Sequence, residues 1–161
     1  GDGKGKTTAA IGQGIMAASD GRSVIIIQFL KSRNREEMSF ISRLEPEIKL
    51  FRFEKSDACF ADLTPEQQAE EKANLRNGMN FARKVLSTGE CNVLILDEVL
   101  GLVDNGIITV EDLTQLQEVA GETELIFTGQ KASDEVLGIA DEAYRLETVK
   151  DTVGESRAKD V

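Results

Sequence analysis

The sequence predicts an α/β fold, a doubly wound and mostly parallel sheet with helices on both faces. Three observations carry that reading. Short apolar runs recur at residues 23–30 (SVIIIQFL), 92–98 (NVLILDE) and 124–129 (ELIFTG). Segments of helical period separate them, and strands alternating with helices build a parallel sheet. The chain also opens on a run rich in glycine and lysine that passes straight into a helical pattern, the context a phosphate-binding loop requires.

That opening run is Gly1-Asp2-Gly3-Lys4-Gly5-Lys6-Thr7-Thr8. Its glycines let the backbone turn so that successive N–H groups aim at one anion. Lys6 can lie along the β- and γ-phosphates of a nucleotide, and the Thr7 hydroxyl can join the shell of a Mg2+ ion. A helix starting at Thr7 adds roughly half a positive charge at the phosphates. The run departs from the usual Walker A spacing. Counting back from Gly5-Lys6-Thr7, the first glycine of that pattern falls before residue 1, and Gly1 leaves only three spacers. A phosphate loop is normally fed by a buried strand, so a strand is expected ahead of Gly1.

Residues 7–19 place Ile11, Ile15 and Ala18 on one helical face, with Gly12 and Gly14 allowing close packing on a sheet. Asp20-Gly21 stops the helix. Residues 23–30 are apolar on both faces, as a central parallel strand should be. The basic run 31–35 (KSRNR) follows at that strand's carboxyl end, where ligands of open α/β sheets bind. Residues 36–44 read as a short helix with Met38, Ile41 and Leu44 on one side. Residues 48–53 (IKLFRF) alternate and read as a strand nearer the sheet edge. Residues 54–63 lack a period and contain Cys59 and Phe60.

Thr64-Pro65-Glu66-Gln67 is a helix start, with a Thr N-cap, Pro at the first position and Gln closing a capping box. The helix should run to about Thr88 with Leu75, Met79, Ala82, Val85 and Leu86 inward, and Gly89 ends it. Residues 92–98 have the form of a Walker B strand, a buried run delivering Asp97 and Glu98 to the edge of a site. Asn105-Gly106 is a turn, and Thr109 caps a helix reaching about Val119. Residues 133–140 form another helix, residues 143–149 (AYRLETV) a last strand, and residues 150–161 a polar tail.

Composition bounds the function. A length of 161 residues suits a single nucleotide-binding domain spanning 1–161. The formal net charge of -10 argues against a nucleic-acid or anionic-membrane surface. No apolar run reaches membrane-spanning length. Two cysteines do not make a disulfide framework, which suits a reducing cytoplasm. The chain has no histidine, which excludes Ser-His catalysis and histidine metal sites. Acid–base work would fall to carboxylates or lysines.

The phosphate loop, the QFLK strand end, the LILDE strand and the LIFTG strand stand in one order. Together they resemble the P-loop ATP:corrinoid adenosyltransferases, over nearly the whole chain. In that family the phosphate loop is similar to residues 1–8 here, short spacing included. The resemblance implies a RecA-like fold, ATP and Mg2+ as ligands, a reduced corrinoid as co-substrate, a homodimer, and a flavoprotein reductase as partner. It implies that Gly1 to Thr8 cradle ATP with Lys6 on the phosphates. It further implies that Thr7 and Glu98 ligate Mg2+, with Asp97 beside them. Two departures stand out. The family often has Arg after the Thr-Gly of the fourth run, where Thr128-Gly129 is followed by Gln130 here. The family also often carries Gly-Phe-Thr-Trp over the corrin, whereas this chain has no Trp and Ala58-Cys59-Phe60-Ala61 is the nearest counterpart. Phe60 is therefore the residue expected to wall the corrin. The residues also admit a P-loop ATPase or small-molecule kinase on the same fold, or a nucleotide-binding module without catalysis.

Overall fold

The computed structural model describes residues 5–29, 39–53 and 59–152. Its strands are β1 (Val24–Gln28), β2 (Ile48–Arg52), β3 (Val93–Asp97) and β4 (Glu124–Phe127). They form one sheet in the order β2-β1-β3-β4, and every pairing is parallel. β1 and β3 are buried at each position, which is why both read as unbroken apolar runs rather than alternating ones. The register sets Gln28 opposite Arg52 on one side and Asp97 on the other. The carboxyl ends therefore finish level. By the period of two, Gln28 and Asp97 share a face with Val24, Ile26, Val93 and Ile95.

That face is covered by α1 (Lys6–Ser19), whose Ala10 and Ala17 pack with Val24, Ile26, Ile48, Val93 and Ile95. The helix is turned by one residue from the expected orientation. Ala10, Gly14 and Ala17 are buried, while Ile15 is 45% exposed and Ile11 and Ala18 sit at the margin. Close approach selects the small residues. A Cβ on Gly14 would stand 3.1 Å from Ile95 Cδ1 and 3.3 Å from Val24 Cγ1, whereas Gly12 has nothing within 4 Å.

The other face carries α2 (Pro65–Ser87) and α4 (Val110–Ala120). Leu75, Ala82, Val85, Leu113 and Leu116 pack there with Ile25, Ile27, Leu94 and Leu96. Each fully buried Leu, Ile or Val contributes about 1.5–3 kcal/mol relative to exposure. The capping box at the start of α2 is present. The Thr64 hydroxyl accepts from the Gln67 N–H at 3.2 Å, and the Thr64 N–H donates to Gln67 Oε1 at 3.0 Å. All five side chains expected inward on α2 are buried. α5 (Asp134–Ile139) follows β4, capped by the Ser133 hydroxyl.

Two elements differ from expectation. α3 (Val99–Asp104) follows β3 after a single residue, in a stretch to which the sequence reading gave no element ahead of the Asn105-Gly106 turn. Its run VLGLVD is too short to display a helical period, and Val99 and Leu102 are fully buried. Within the short helix expected at 36–44, residues 39–44 form a 3-10 helix, while residues 36–38, like the basic run 31–35, lie outside the described residues. Residues 143–149 form no strand. A strand exists only where a neighbour supplies ladder hydrogen bonds. None of the described strands pairs with this segment, and Tyr144 and Val149 are 75% and 97% exposed. No described helix is long and apolar enough to cross a membrane.

Candidate nucleotide site

The site forms where the start of α1 meets the carboxyl ends of β1, β3 and β4. Gly1, Asp2, Gly3 and Lys4 lie outside the described residues. Gly5 is the N-cap of α1 with φ 96, a left-handed conformation that glycine takes without steric cost. Lys6, Thr7 and Thr8 form the first turn of the helix. The Thr7 hydroxyl donates to both carboxylate oxygens of Asp97, at 3.0 and 3.1 Å. This contact joins the first turn of α1 to the end of β3.

Asp97 is the hub. It is only 1% exposed, and a carboxylate so buried must be hydrogen-bonded. Thr128 Oγ1 donates to Oδ1 at 2.7 Å, and Gln28 Nε2 donates to Oδ2 at 3.1 Å. Oδ1 thus accepts from Thr128 and Oδ2 from Gln28, with the single Thr7 proton shared between them.

Glu98 comes next with φ 63 and ψ 17, and it is the N-cap of α3. For a residue with a Cβ the left-handed region costs about 1–2 kcal/mol. The strained peptide is held by its own N–H, which donates to Thr128 Oγ1 at 2.8 Å. One hydroxyl therefore ties together the backbone of Glu98 and the side chain of Asp97. Gly129 follows, packed so closely on α3 that a Cβ there would lie 2.4 Å from Leu100 Cβ.

Phe60 occupies a 3-10 turn, Phe60–Asp62, half-buried against the core on the α2 face. Lys72 Nζ lies 5.9 Å from its ring centroid, and Gln68 Nε2 donates to its carbonyl at 3.1 Å. Gln28 and Thr128 were not singled out as site residues from the sequence. Gln28 carries a signal, being the polar interruption of an apolar run. Thr128 carries less, since a hydroxyl after a strand is common.

Among the described residues, no three His, Cys, Asp or Glu side chains gather into a metal cage. The donor set is instead a hydroxyl backed by a carboxylate. That suits Mg2+, which keeps several waters and takes substrate phosphates with one or two protein ligands. A second sign of fit is Gln28 Oε1, a buried acceptor without a hydrogen-bond partner among the described residues.

The ATP:corrinoid adenosyltransferase BtuR/CobO/CobP family matches residues 1–160. The corrinoid adenosyltransferase of Escherichia coli (strain K12) is 28% identical over 153 residues, covering 93% of this chain and 74% of that protein. Corrinoid adenosyltransferase CobA of Salmonella typhimurium is likewise 28% identical over 153 residues, with the same shares covered.

Proposed function

The chain belongs to the ATP:corrinoid adenosyltransferase family and is a transferase, and from that premise we propose its reaction in detail. It moves the 5′-deoxyadenosyl group of MgATP to Co(I) of a reduced corrinoid and releases triphosphate, in cobalamin biosynthesis or salvage. The observation that carries this reading is the contact of Thr7 with Asp97, which fastens the phosphate-loop helix to the strand end.

The nucleophile is the corrinoid's Co(I). Its electron pair attacks C5′ of ATP, the C5′–O bond breaks, and the bonding pair leaves on the triphosphate oxygen. The chain needs no nucleophile of its own and no imidazole base, in keeping with a sequence that has no histidine. Its residues orient C5′ and neutralise the leaving group. Gly1 to Thr8 cradle the polyphosphate through backbone N–H groups, with Lys6 and Lys4 adding positive charge. Bound Mg2+ would supply further charge stabilisation to the departing triphosphate. Thr7 and Glu98 would hold it. Asp97 accepts the Thr7 hydroxyl proton and so orients the hydroxyl, acting through Thr7. Phe60 provides the apolar wall against the corrin. The enzyme works as a single domain over 1–161, as a homodimer, with a flavoprotein reductase supplying the electron. Its free thiols Cys59 and Cys91 suit the cytoplasm.

The test is the bond that breaks. 31P NMR of a reaction with reduced corrinoid should show inorganic triphosphate, and the absorption spectrum should become that of an alkylcobalt species. Turnover should vanish without reductant. Steady ADP production in the absence of corrinoid, abolished by Lys6→Ala, would overturn this reading in favour of a P-loop ATPase or small-molecule kinase.

A further inference from the structure

Gln28 is the most buried polar side chain of the site after Asp97, at 3% exposure. Its chain neighbours Ile27 and Phe29 are both fully buried. Its two polar atoms have different fates. Nε2 donates to Asp97 Oδ2, while Oε1 is buried and has no hydrogen-bond partner among the described residues. Rotating the carboxamide does not cure this, because it would set Oε1 against a carboxylate oxygen and leave two N–H donors unmatched. A buried carbonyl without a donor is unfavourable.

The position of Gln28 says which donor fits. The register places Gln28 beside Asp97 at the level carboxyl ends of β1 and β3, on the face covered by α1. Thr7, at the start of α1, bonds to the same carboxylate. The orphaned oxygen therefore belongs to the side chain that bonds the carboxylate Thr7 also contacts, next to where the reading above puts a nucleotide's phosphates and their cation. Divalent cations there keep water ligands whose protons are strong donors, and Mg2+ gives them up reluctantly.

We propose that Gln28 is a positioning residue of the metal–nucleotide site, its Nε2 steadying Asp97 and its Oε1 accepting a hydrogen bond from a water in the cation's hydration shell. This rests on the Mg2+–ATP reading given above. It makes the affinity for ATP more dependent on Mg2+, since the orphaned acceptor is satisfied only when the hydrated cation arrives with the nucleotide.

The experiment is calorimetric titration of the whole chain with ATP, in EDTA and in excess Mg2+, without corrinoid. The ratio of the two dissociation constants measures the coupling between metal and nucleotide. Gln28→Leu should lower that ratio by about three- to tenfold, the effect of one hydrogen bond. Its ATP affinity should fall less in EDTA than in Mg2+, because in EDTA only the Nε2 bond to Asp97 is lost, whereas in Mg2+ the bond to the cation's water is lost as well. Gln28→Glu keeps the acceptor and removes the amide donor, so its ratio should equal or exceed that of wild type. Thermal melting in EDTA establishes that each variant is folded, and Gln28→Met serves if the leucine variant is not. A wild-type ratio in Gln28→Leu, with Mg2+ coupling intact in the native chain, overturns the role of Gln28 alone. Equal loss in Gln28→Leu and Gln28→Glu overturns the hydrogen bond to water and leaves only the support of Asp97. Absence of coupling in the native chain overturns the metal reading and this inference with it.

Discussion

Thr128→Val replaces a hydroxyl by a methyl of nearly the same shape and isolates what that oxygen does. The hydroxyl donates to Asp97 at 2.7 Å and accepts from the Glu98 N–H at 2.8 Å. A hydrogen bond to a buried carboxylate contributes about 1.5–3 kcal/mol. The Glu98 N–H, left without its acceptor, adds about 1–3 kcal/mol. The two losses share one site and overlap, so a net destabilisation of about 3 kcal/mol is expected. For a chain of this size each kcal/mol lowers Tm by about 2–4 °C, giving a fall of about 6–12 °C. Thr128→Ser keeps the oxygen and serves as control. Calorimetric melts of both variants at pH 7 provide the assay. Because Glu98 is held in a left-handed conformation through this contact, the valine variant should also bind MgATP more weakly. Equal melting temperatures for the Val and Ser variants would show that the hydroxyl does not hold the site together.

Lys6→Ala should lose one charge-assisted phosphate contact, lowering ATP affinity by about tenfold to a hundredfold in calorimetry. Gly129→Ala forces a Cβ to 2.4 Å from Leu100 Cβ and should cost about 1–3 kcal/mol in denaturant unfolding. Gly138→Ala, in α5 with nothing within 4 Å, should instead stabilise by about 0.5–1 kcal/mol. Burial, with the charge of Glu90 adding to it, pushes the Cys91 thiol from 9.0 up to about 11. The folded state thus favours the neutral thiol, and that share of stability is present below pH 9 and lost as pH rises towards about 11. Cys91→Ala should flatten the pH dependence of Tm in that window, and in the native protein iodoacetamide should label exposed Cys59 well before Cys91. Phe60→Ala should leave ATP affinity intact while slowing cobalt–carbon bond formation; equal losses of thermal stability and ATP binding would assign the ring to core packing.

Much of this chain was legible because local chemistry decided it. The run NVLILDE has one apolar stretch and one place for its carboxylates, so its strand and its end were both readable. Thr64-Pro65-Glu66-Gln67 specifies a helix start whatever surrounds it, and the capping box is there. Gly5-Lys6-Thr7 before a helical pattern marked the start of α1. By contrast, Ile11, Ile15 and Ala18 form a plausible apolar face, yet the sheet took Ala10, Gly14 and Ala17 because close packing rewards small side chains. Residues 143–149 have strand-like alternation and no partner among the described strands, and alternation cannot supply a ladder. The sequence by itself determined the four described strands, the helix that follows Gly5 and the carboxylates at the end of β3, since each depends on contiguous residues. Only the tertiary structure decided that Gln28 and Thr128 join Thr7 on Asp97. Those contacts span 31 to 90 residues of sequence and exist because parallel pairing brings the carboxyl ends of three strands level.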